Sequence, residues 1–124
     1  MDKLSILELI NYVVKCIETV EIRARNLISV DDFTGESGEL LLDGIAMKLQ
    51  TIGESIKTLQ KKDTELMNKI ADNSYWSQMA KMRDIISHHY IRIDPNIIFE
   101  ICQNYIFELK TNVLELKRTH LSSI

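Results

Sequence analysis

Apolar residues recur along this chain at helical spacing. In the first segment Ile6, Ile10, Val13, Ile17, Val20 and Ala24 follow one another at steps of four and three. That is one face of a helix. Ser5 and Glu8 have the spacing of a capping box, and Leu4 and Leu9 that of a hydrophobic staple. The pattern predicts a helix from about residue 5 to the high twenties. "SVDDFTGESGE" holds two glycines and four acids, and reads as a connection with a helical turn at its start. A second stripe, Leu42, Ile45, Leu49, Ile52, Ile56 and Leu59, predicts a helix over roughly 38–61. Gly53 lies inside it at a cost of about 1 kcal/mol relative to alanine. A close approach of another helix is the usual reason to keep such a glycine.

"KKDTELMNKIADNS" is polar and predicts a short helical turn. A third main helix starts near Tyr75 or Trp76, with Tyr75, Met79, Met82 and Ile86 as its stripe. Asp94-Pro95 reads as an N-cap followed by proline at the first helical position. The last stripe is Ile98, Cys102, Tyr105, Leu109, Val113 and Leu116, and that helix ends near His120. The expected fold is all-α: an antiparallel four-helix bundle, one domain over residues 1–124, with a short extra helical turn before the third main helix.

Composition agrees. One proline and four glycines in 124 residues suit long helices rather than a turn-rich β fold. The N-terminus, MDKLSILELI, lacks the pattern of a secretory signal, and no apolar run approaches the ~20 residues needed to span a bilayer. The expected location is the cytoplasm, with no membrane partner. The net charge of −3 gives no global basic field, so binding to a polyanion needs a local patch.

Several chemistries fail on spacing. Cys16 and Cys102 are too few and too far apart for a zinc site, and both read as inert packing residues. A di-iron bundle needs Glu-x-x-His pairs, but Ile85 and Lys117 stand three residues before His88 and His120. His88 and His89 are adjacent, about 100° apart on a helix, and share one ion poorly. No metal site is expected. The glycines fit no phosphate-binding loop or dinucleotide fingerprint, and no cofactor is expected.

"MRDIISHHYIRIDP", residues 82–95, is the densest chemical stretch. Arg83, His88 and Tyr90 have the spacing Arg-x4-His-x-Tyr. This motif at the end of a third helix resembles the HEPN ribonuclease toxins of the HepT type. "LQTIGESIKTL" is similar to the family's second-helix segment, and "W-x5-MRDIISHHYIRIDPNIIFEI" to its motif region and the start of the last helix. Together these cover most of residues 40–110. The flanking segments match in character only.

The resemblance implies a HEPN-like bundle and a metal-independent endoribonuclease that cleaves RNA in the cleft of a symmetric homodimer. It implies an MntA-type nucleotidyltransferase partner, the antitoxin, which attaches adenylate to the motif tyrosine. Carried over by position, Arg83 and His88 match the catalytic pair and Tyr90 the modified tyrosine. Asp84 matches the polar position after the arginine. Glu54 matches an acidic position of the second helix.

The residue types suit the reaction. Metal-free cleavage uses the ribose 2′-OH as nucleophile. That hydroxyl must lose a proton, the leaving 5′-oxygen must gain one, and the phosphorane needs positive charge. Histidine titrates near neutrality and can carry the proton. Arginine stays charged and can hold two phosphate oxygens. On a continuous helix, however, Arg83 and His88 point about 140° apart. Either the helix breaks near His88, or the groups converge across a dimer axis. Asp84, four residues before His88, can orient its imidazole. Lys81, His88 and Arg92 share one side of the wheel, a basic strip suited to RNA. Arg83 and Tyr90 lie at the edge of the buried face if the helix continues. Each residue also has a plainer reading. Arg83 fits a surface ion pair, Tyr90 a packed ring with an exposed hydroxyl, and Glu54 simple solvent exposure opposite its core stripe.

Two other functions fit a small bundle: a non-catalytic helical adaptor that binds a nucleotidyltransferase or nucleotide, and a purely structural bundle. The Arg83–His88 pair favours the ribonuclease, because an adaptor needs no acid–base group.

Overall fold

The computed structural model describes residues 1–87 and 93–123, with the backbone alone for Ser87. The elements are α1 (Lys3–Ala24), a 3-10 turn (Val30–Phe33), α2 (Gly35–Lys62), α3 (Thr64–Ile70), α4 (Asn73–Ala80), α5 (Met82–Ser87), α6 (Pro95–Asn104) and α7 (Ile106–Ser122). All described elements are helical, and they form the expected bundle. α4 with α5 makes one rod and α6 with α7 another. α3 is the extra turn that precedes the third rod.

The two N-terminal stripes are core. Ile6, Ile10, Val13, Ile17 and Val20 of α1 are buried, as are Leu42, Ile45, Leu49, Ile52, Ile56 and Leu59 of α2. Cys16 is buried with them. α2 packs against α1 on one side and against α4 and α5 on another. α1 and α7 run antiparallel. His120 Nε2 lies 2.8 Å from Lys3 O at one end, and Lys110 Nζ donates to Glu21 Oε1 at 2.8 Å further along.

Several boundaries differ from the sequence reading. α1 starts earlier, because the Asp2 carboxylate accepts from Ser5 N at 2.7 Å and is the true cap. Leu4 is 63% exposed, so no staple forms there. α1 also stops at Ala24 rather than in the high twenties. The connection does carry a helical turn. Asp32 Oδ2 accepts from Ile28 N at 2.7 Å and Ser29 N at 3.1 Å, while Ser29 Oγ accepts from Asp31 N. Phe33 is buried by that turn. α2 begins at Gly35, whose φ of +74° favours glycine.

The last rod is two helices. Tyr105 has φ −119° and ψ −25°, outside helical geometry. The buried set is Ile98, Ile101, Ile106, Leu109, Val113, Leu116 and His120. Tyr105 is 37% exposed and Cys102 half-buried, so neither is the full core position expected. The reason is phase. Ile101 to Ile106 is a step of five, which an unbroken helix would rotate by about 140°. The irregularity at Tyr105 returns Ile106 to the core side. Asp94 caps α6 by accepting from Asn96 N at 2.9 Å, with Pro95 in the first turn.

Candidate functional site

The site begins with a glycine. A Cβ on Gly53 would stand 3.1 Å from Ala80 O, 3.1 Å from Arg83 N and 3.3 Å from Met79 O. Its absence lets the joint between α4 and α5 rest directly on α2. Gln60 fixes the same pair of elements further along, its Nε2 lying 3.1 Å from Ser77 Oγ and 3.3 Å from Asn73 Oδ1. Residues later in α2 thus face residues earlier in α4–α5, so the two rods run antiparallel.

The joint sits at Lys81, which caps α4 with ψ −7°. Lys81 N donates to Ser77 O at 3.1 Å, and Ile85 N donates to Lys81 O at 2.9 Å. The backbone thus continues as a slightly bent rod. Met82 and Ile86 are each 3% exposed and anchor α5 in the core. Arg83, Asp84 and Ile85, between those anchors, face outward.

Between α2 and this rod lies an open cleft of about 460 Å³. It is lined by Glu54, Lys57, Thr58 and Lys61 from α2 and by Arg83 and Asp84 from α5, with Gln60 and Ala80 completing its walls. Its volume lies within the range of small-molecule sites, roughly 300–1,000 Å³. Glu54 of α2 thus shares one surface with Arg83 and Asp84 of α5. Among the described residues, none of them forms an ion pair within 4.0 Å. Lys81 is exposed at the joint but does not line the cleft. His88, Tyr90 and Arg92 lie outside the described residues.

Lys57, Thr58 and Lys61 were missed by the sequence reading. Their signal was present: positions 54, 57, 58 and 61 share one face of a helix by the three–four rule. Thr58 Oγ1 turns back to Glu54 O at 3.2 Å. The cysteines contribute nothing to this cleft. Burial pushes the Cys102 thiol up to about 11, which suits an inert residue. Among the described residues, no three His, Cys, Asp or Glu side chains gather as a metal would need, and no helix is long and apolar enough to cross a membrane.

The family model described as "Ribonuclease HepT-like" matches residues 13–116. The chain belongs to the HepT-like ribonuclease family. This agrees with the resemblance read from the Arg-x4-His-x-Tyr motif. The matched span includes Glu54, Lys81, Arg83, Asp84, His88, Tyr90 and Arg92. A "Putative RNase" of Caldanaerobacter subterraneus subsp. tengcongensis is 33% identical over 89 residues, covering 72% of this chain and 74% of that one. A "Gamma-glutamylcyclotransferase and putative RNase" of Methanocaldococcus jannaschii is 29% identical over 107 residues. That match covers 86% of this chain but 45% of the relative, so this HepT-like chain spans less than half of it. A second "Putative RNase" from the same archaeon is 32% identical over 88 residues, covering 65% and 69%. No solved structure matches at comparable significance.

Proposed function

We propose that this HepT-like chain is a metal-independent endoribonuclease toxin that works as a homodimer. We propose further that an MntA-type nucleotidyltransferase silences it by adenylylating Tyr90. The observation that carries the reading is the meeting of Arg83 with Glu54 and Asp84 in one open cleft, in a chain of a ribonuclease family.

Arg83 is exposed on a rod anchored by the buried Met82 and Ile86, so its guanidinium is open to a phosphate. The 2′-oxygen attacks phosphorus, the bond to the 5′-oxygen breaks, and a cyclic phosphate and a 5′-hydroxyl result. His88 takes the proton of the 2′-OH, and the matching histidine of a second copy returns one to the 5′-oxygen. Arg83 neutralises the charge that builds on the phosphorane. Asp84 orients the imidazole four residues on, and Glu54 offers an acceptor to ribose hydroxyls. A dimer axis at the motif supplies the second histidine and resolves the divergence of positions 83 and 88.

The test is cleavage of a labelled single-stranded RNA by the purified protein in a metal chelator, beside Arg83→Ala and His88→Ala proteins. Cleavage by wild type alone is expected. Equal cleavage by the His88→Ala protein would refute the catalytic assignment.

A further inference from the structure

Resting on the ribonuclease reading, we infer that Lys57 and Lys61 form a phosphate track along α2 that leads a single-stranded RNA backbone to Arg83. Both lysines are exposed and line the cleft that Arg83 lines. They stand one helical turn apart, about 6 Å along the axis. That rise is comparable to the step between neighbouring phosphates of an extended single strand.

The layout of charge along the cleft gives the track a direction. Gly53 packs at Ala80 and Arg83, whereas Gln60 reaches Ser77 and Asn73. Glu54, Asp84 and Arg83 therefore gather at one end, and Lys61 lies toward the other, with Lys57 between. Both acids of the cleft belong to the Arg83 end, and the far end is cationic. Among the described residues neither lysine forms an ion pair within 4.0 Å. A polyanion thus meets two lysines that no carboxylate of the described residues holds within 4.0 Å. The acids at the other end limit how many phosphates settle there and leave Arg83 to take one. The chain is acidic overall, at −3, so this strip acts as a local patch. Contacts of this kind position the backbone and carry no base specificity.

The experiment measures binding apart from cleavage. A fluorescent single-stranded oligonucleotide with 2′-deoxy sugars lacks the nucleophile, and its affinity is followed by anisotropy across a salt series. In the Lys57→Ala/Lys61→Ala protein the slope of log affinity against log salt should shrink by about 1.4, two phosphates at ~0.7 each for a single strand. With cleavable RNA the loss should fall on KM, and Lys57→Arg/Lys61→Arg should restore both readouts. Lys15→Ala/Lys69→Ala removes two exposed lysines outside the cleft and should leave the slope nearly as in wild type. If wild type cleaves RNA and the two alanine pairs shift the slope equally, or neither shifts it, the track is wrong and the ribonuclease reading stands. A wild-type protein that neither binds nor cleaves RNA overturns both.

Discussion

Gly53 on α2 and Arg83 on α5 are in backbone contact: a methyl group on Gly53 would stand 3.1 Å from the Arg83 nitrogen. Ala80 O and Met79 O crowd the same point, so no flexible side chain can move aside. Gly53→Ala gains about 1 kcal/mol of helix propensity. Overpacking against backbone costs roughly 1–3 kcal/mol. A net loss of about 1 kcal/mol is expected in urea titration, with a larger loss for Gly53→Val. RNA cleavage should fall further than stability, because the displaced element carries Arg83. An alanine protein more stable than wild type would mean that the rods separate freely.

Arg83→Ala should cost little stability, within about 0.5 kcal/mol, since the side chain is exposed and outside the core. Its cleavage rate should fall by about 10²–10³, the usual loss when one charge-stabilising group at a reacting centre is removed. His88→Ala should be at least as damaging. Circular dichroism and thermal melts check the fold, and single-turnover cleavage checks the chemistry. An Arg83→Ala protein that cleaves at the wild-type rate would falsify the clamp.

How much of this was legible in the sequence depends on what each pattern constrains. The stripes of α1 and α2 follow from burial, which leaves a strong period, and Gly53 signalled a close approach because nothing else justifies it mid-helix. Ser5 misled because a polar residue with an acid three positions on fits a capping box, while Asp2 fits the cap better by three residues. The break at Tyr105 was hidden because Cys102 and Tyr105 complete a three–four pattern as well as Ile101 and Ile106 complete a bent one. Nothing in the sequence sets Lys57 and Lys61 apart from an ordinary solvated helix face. Only the neighbouring rod turns that face into a cleft wall, and its position is set by tertiary packing. The motif located Arg83 and Asp84 and the second-helix segment located Glu54, and the fold brings the three to one cleft.

His120 is 3% exposed, and its Nε2 meets Lys3 O at 2.8 Å. Lys3 Nζ returns to Ser123 O at 2.7 Å, and Ser123 Oγ to His120 O at 2.7 Å. Together these join the start of α1 to the end of α7. His120→Ala removes a hydrogen bond and leaves a gap, at a cost of about 1–3 kcal/mol. Neither α1 nor α7 lines the cleft. Cleavage per folded molecule should therefore match wild type while the urea midpoint drops. A midpoint equal to wild type would show that the two ends are held by other contacts.

Positions 83 and 88 would diverge on a continuous helix, and the proposed function calls for a second copy to bring the groups together. Light scattering at micromolar concentration should give twice the chain mass. The contact should bury more than ~1,000 Å², the lower bound for a stable pair. A monomer under those conditions would remove the second histidine from the mechanism.

Tyr90 is the expected point of control. Its phenol stands two residues beyond His88 in the motif. On the proposed function, an adenylate on that oxygen adds a phosphate anion beside the RNA-cleaving motif. There it competes with RNA for Arg83, so inhibition requires no refolding. Tyr90→Phe keeps the ring and loses the acceptor oxygen. That protein should still cleave RNA, yet resist silencing by the nucleotidyltransferase and ATP. Intact-mass measurement after incubation with both should show added AMP on wild type and none on Tyr90→Phe. If the phenylalanine protein gains the same mass, the modified residue lies elsewhere and Tyr90 is not the control point.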